Sequence, residues 1–126
     1  GKTADGKLVM GNADAASNTL TLNTNAISQV AGERGWREAF VAGVGTLGHE
    51  TRHLQDGPVY RGDYDGAIRT ETNGYGINSS VNQAFGMPGS NDRQIQNGAV
   101  RSCAQSTGQF SACQNASRRL FPGSYR

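Results

Sequence analysis

One long helical pattern constrains this chain more than any other feature. From about Glu33 to Gln55, the residues Trp36, Phe40, Val44, Leu47 and Thr51 or Leu54 recur at steps of three and four. That spacing lays an apolar stripe along a single helix. Asp56-Gly57-Pro58 ends the stretch, with Gly free to take a left-handed cap and Pro unable to continue. The interior glycines Gly43, Gly45 and Gly48 each cost about 1 kcal/mol against Ala. Either another backbone packs close to them or the helix breaks into two there.

Around this helix the remaining elements are shorter. Residues 7–10 and 18–22 are β-prone runs joined by residues 11–17, which reads as a hairpin with a long connection. Leu20 and Leu22 alternate with Thr19 and Thr21, so one face can pack while the other meets solvent. A second helix is expected from about Asp65 to Phe85, where Ile68, Glu71, Tyr75 and Asn78 fall at helical steps. Ser90 and Asp92 suit the start of a third helix over residues 91–105, and the tail from Gly108 onward is ambiguous. The expected class is α+β: a small N-terminal antiparallel sheet, a central helix, and two to three further helices. The 126 residues suit one domain, 1–126, and the polar start from Gly1 to Gly6 reads as a segment of a longer polypeptide. With 18 Gly and 35% hydrophobic residues, that domain should be loop-rich with a small core.

Several function classes are disfavoured. A net charge of +2, with Lys and Arg spread along the chain, gives no footprint for a nucleic-acid backbone. No apolar run approaches the roughly 20 residues that a membrane helix needs. Cys103 and Cys113 suit either a small disulfide loop or two unrelated thiols.

Chemistry concentrates at the end of the central helix, in His49-Glu50-Thr51-Arg52-His53. Two imidazoles four positions apart share one helix face, the arrangement needed for both to reach one Zn²⁺ at about 2.0–2.1 Å. Glu50 then stands beside the metal, where a carboxylate can take a proton from an activated water and return it to a leaving group. Both histidines of the chain lie in this one motif. A third ligand must therefore be Asp, Glu or Cys. Glu71 on the next expected helix is the first candidate, Asp56 the second, and Asp63 or Asp65 the remainder. Tyr75, one turn from Glu71, is the first candidate for a donor to a developing oxyanion, with Tyr60 and Tyr64 behind it.

Gly48-His49-Glu50-Thr51-Arg52-His53, with Glu71 downstream, resembles the zincin metallopeptidases, and within them the branch whose third ligand is a glutamate. The likeness covers residues 39–78. It implies zinc held by His49, His53 and Glu71, peptide-bond hydrolysis with Glu50 as general base and acid, and an edge strand that aligns an extended substrate. Residues 19–23 are the candidate strand. Val59 stands where the metzincin branch has its third histidine, and Tyr75 stands where some glutamate zincins have an acidic residue behind the metal. Asn78 or Asp56 is then expected to support the ligands. Small size and a Gly- and Asn-rich composition also resemble the C-terminal toxin domains of bacterial polymorphic proteins. That implies secretion or delivery into a target cell, a protein or peptide substrate, and an immunity or inhibitor protein as partner. Two other readings stay open: a non-catalytic binding module with structural or no zinc, and a zinc amidase acting on cell-wall peptides.

Overall fold

In the computed structural model, residues 10–14 and 16–125 are described. The elements run β1 (Gly11–Asp14), β2 (Thr19–Leu22), α1 (Thr24–Arg34), α2 (Trp36–Asp56), α3 (Tyr64–Ala84), α4 (Asp92–Thr107) and α5 (Phe110–Leu120). A 3₁₀ turn, Pro122–Tyr125, follows them. The class is α+β, mostly helical with one two-stranded antiparallel sheet. No helix among the described residues is long and apolar enough to cross a membrane.

Side-chain and glycine caps explain most of the boundaries. Asn23 accepts from the Ala26 N–H at the start of α1, and Asp63 accepts from the Gly66 N–H at the start of α3. Asn91 and Gln94 form a reciprocal capping box on α4. Gly35, at φ +93°, separates α1 from α2, so Glu33 and Arg34 belong to the preceding helix and not to the central one. Gly57, at φ +83°, ends α2 with its N–H on the His53 carbonyl. The helix runs unbroken through Gly43, Gly45 and Gly48.

The hairpin differs from its expected register. Gly11 pairs with Leu22 and Asp14 with Thr19, so the first strand occupies residues expected to be a connection. Residues 7–9 of the expected first strand lie outside the described residues, as does the polar start of the chain. A tight turn wins over β propensity here: the Asp14 carboxylate accepts from the Ala16 N–H at 3.0 Å, and Asn18 takes φ +54°. Four helices accompany α2, against the two to three expected; α1 and, within the ambiguous tail, α5 are the ones without a predicted span.

The core sits at one end, among Ile68, Ala99, Val100, Cys103, Cys113 and Ala116 of α3, α4 and α5. Cys103 and Cys113 are disulfide-bonded, which ties the end of α4 to α5. Helix α2 packs along α3 outside this cluster, and the hairpin lies on α2.

Candidate metal centre

The candidate site is the seam between α2 and α3, and small residues make the seam tight. A Cβ on Gly48 would stand 2.7 Å from Ile77 Cγ2, and one on Gly74 would stand 2.5 Å from His49 Cδ2. Both are inside van der Waals contact, so only glycine lets the two helices approach this closely. His49 is thereby seated, buried, against the backbone of α3.

Both imidazoles turn the same edge toward Glu71. His49 Nε2 lies 3.4 Å from one carboxylate oxygen, and His53 Nε2 lies 3.0 Å from the other. The opposite ring nitrogens are held. His49 Nδ1 bonds to Asn78 Oδ1, which can only accept, so that nitrogen carries a proton. His53 Nδ1 lies 2.9 Å from Thr70 Oγ1, whose own hydrogen goes to Asp56 Oδ2 at 2.7 Å. His53 Nδ1 must therefore be the donor as well. With both Nδ1 protons fixed, the lone pairs available to a cation are those of the two Nε2 atoms.

The donor set fits zinc. Ligand atoms at 2.0–2.1 Å on a tetrahedral ion stand about 3.3 Å from one another, close to the 3.4 Å from His49 Nε2 to one Glu71 oxygen and the 3.0 Å from His53 Nε2 to the other. Glu50 also lies near, with ligand atoms of His49, Glu50 and His53 all within 4.8 Å of one another. Glu71 is a further candidate ligand: each of its oxygens meets one Nε2, while Glu50 also meets the Ala13 N–H of β1. The Ala13 contact places β1 beside Glu50, and β2, which holds most of the expected substrate-aligning run over residues 19–23, pairs with β1 and also packs on α2.

The electrostatics follow from burial and these contacts. Burial would raise the Glu71 pKa, but hydrogen bonds from His49 and His53 and their charges hold it down at about 2. Burial pulls His49 down, yet its hydrogen bonds to Glu71 and Asn78 and the nearby carboxylates more than reverse that, leaving it above the ordinary imidazole value. Burial pushes Glu50 above the usual carboxylate range, against the opposing pull of His49 and His53. That shift is in the direction that proton exchange with an activated water calls for.

The other sequence candidates fall as follows. Asp56 is engaged elsewhere: its carboxylate receives Thr70, Asn73 and Arg52, and so supports His53 through Thr70. Asn78, the other expected support, takes His49. Asp63 caps α3 and Asp65 pairs with Arg119, so neither joins the histidines. Tyr75 packs its ring edge-on against His49, with centroids 4.7 Å apart, and its hydroxyl bonds to Ser102 on α4. Tyr60 and Tyr64 line a cavity of about 530 Å³ that opens beside Glu71. Thr70 and Ser102 escape a sequence reading because a lone hydroxyl carries no spacing signal. Comparison with known protein families, with curated proteins and with solved structures finds no match for this chain.

Proposed function

We propose that this protein is a zinc-dependent hydrolase of peptide bonds, with His49, His53 and Glu71 as ligands and Glu50 as general base and acid. The convergence of both Nε2 atoms on the Glu71 carboxylate, with both Nδ1 atoms held from behind, is the observation that carries this reading. Zinc bound there would polarise a substrate carbonyl and make a water acidic enough to attack it. Glu50 takes the proton of the attacking water and returns it to the departing amine, while the Ala13 N–H fixes its carboxylate. The cavity beside Glu71 offers room for a substrate side chain. Tyr75 can serve as oxyanion donor only by exchanging Ser102 for substrate, and Tyr60 and Tyr64 are nearer to that cavity. The disulfide suits an oxidising compartment; delivery into a target cell and an immunity protein as partner rest on the toxin-like resemblance of the sequence.

One observation favours a second reading. His49, Glu71 and His53 satisfy one another directly, so the same cluster could serve a non-catalytic module as a metal-free ion-pair network. Elemental analysis of the wild type, Glu71→Ala and Glu50→Gln separates the two. The hydrolase reading expects about one zinc per chain, retained in Glu50→Gln and strongly reduced in Glu71→Ala. Cleavage of protein and of cell-wall peptide substrates, assayed side by side, should vanish in Glu50→Gln. A folded wild type that takes up no zinc when zinc is supplied rules the reading out.

A further inference from the structure

The apolar stripe of α2 does not face the core. Trp36 is 73% exposed, Phe40 60% and Leu47 46%, while α2 buries Val41 and the small or polar Ala39, Gly45, Thr46 and His49. The exposed positions 36, 40 and 47, with half-buried Gly43 between them, are spaced four, three and four apart, the seam of a helix that packs against another helix. Position 43 is glycine, and a Cβ built there meets nothing within 4 Å. It floors an open groove of about 360 Å³ walled by Leu22, Ile27, Phe40, Val44 and Leu47, with no charged side chain in its lining. The face therefore presents protruding rings and a hole beside them.

We propose that this face is the interface of a homodimer, in which α2 of one copy crosses α2 of the other near Gly43 and Phe40 of each copy enters the groove of its partner. A two-fold interface must be self-complementary, and a stripe that carries both ring and hole on one helix meets that requirement. The area reaches the lower limit for such a contact. Large aromatic side chains present roughly 150–250 Å² each, and at the observed exposures Trp36, Phe40, Leu47, Leu22 and Phe85 together offer about 500 Å² per copy. Phe85 extends the patch because its ring stacks edge-on with Phe40 at 5.7 Å. Two copies would bury about 1,000 Å², the lower limit for a specific interface and the range of weakly associating pairs. His49 faces α3, so this contact leaves the metal ligands out of the interface.

Sedimentation velocity of the full chain, from about 1 to 200 µM, tests this directly. The expected result is a species of twice 13.3 kDa, with a concentration-dependent blue shift of emission from Trp36, the only tryptophan. Gly43→Arg should keep the helical circular dichroism, because its Cβ has open space, and should weaken dimerisation at least 10-fold. Phe40→Glu should do the same from the ring side. A chain that stays monomeric at the highest concentration overturns the proposal, whether the groove is then filled by residues 1–9 or by another protein. A dimer that both variants leave intact also overturns it.

Discussion

Gly74→Ala tests whether the α2–α3 seam sets the metal geometry. The added methyl would sit 2.5 Å from His49 Cδ2 and 2.6 Å from its Nε2, where carbon contacts want about 3.5–4.0 Å. The imidazole must therefore shift by about 1 Å, or the helices must part by as much. Disturbing a group that orients a metal ligand typically costs 10- to 100-fold in affinity, which is about 1.4–2.7 kcal/mol. On metal-free stability, overpacking costs about 1–3 kcal/mol and the better helix former returns about 1 kcal/mol. The net loss should thus be at most about 2 kcal/mol. Gly76→Ala, two residues on and with nothing within 4 Å of the new methyl, is the control. It should gain up to about 1 kcal/mol and bind zinc as the wild type does. Competition with a chromophoric chelator gives the affinities, and thermal melts of metal-free protein give the stabilities. A folded Gly74→Ala that binds zinc as tightly as the wild type would refute the reasoning.

Three further perturbations address the surroundings of the site. Thr70→Val leaves His53 Nδ1 without its acceptor at little change in shape, so zinc affinity should drop about 10- to 100-fold with the fold retained; an unchanged chelator titration would show that the Thr70 link is idle. In metal-free protein, Glu71 is held at about 2 against an ordinary 4.5. A carboxyl depressed on folding contributes stability above its unfolded value and loses it as pH falls toward the folded one, here between about 4.5 and 2. The loss is worth up to about 3 kcal/mol. Urea unfolding at pH 6 and pH 3 should show this in the wild type and much less in Glu71→Gln; equal pH dependence in both would count against it. Replacing Cys103 and Cys113 together by Ala opens a loop ten residues in separation and should cost about 3 kcal/mol, read as a lower denaturation midpoint.

The motif-bearing helix and the candidate ligands were legible because four-residue spacing on a helix is a strong geometric statement. Glu71 could be matched to the histidines because α3 also carries a helical period, and Asn78 falls two turns beyond Glu71 on the same face. The interior glycines of α2 signalled a close neighbour, which Ile77 and Asn78 supply at Gly48 and Gly45. What failed to show has physical causes. Helix α1 buries only Ala26, so its sequence carries almost no amphipathic signature. Helix α5 is carried inward by Cys113, Ala116 and Ser117, small residues that apolar counting undervalues. The position of β1 depends on a turn set by Asp14 and Asn18, not on propensity. Nor could sequence tell that the large apolar residues of α2 look outward: periodicity gives a stripe, and only the packed fold says which way it faces.

The placement of the core has a mechanical consequence. Ile68, Val100 and the disulfide gather α3, α4 and α5 into one tightly packed body, whereas α1, α2 and the hairpin are buried through little more than Ala26, Ala39 and Val41. Amide protons of α4 and α5 should then exchange last, and those of α1 and the hairpin first. Glu71 belongs to the stiff half and the two histidines to the soft one. An ion gripped between them would add a cross-link to the tight α2–α3 seam and slow exchange along α2 far from the ligands themselves.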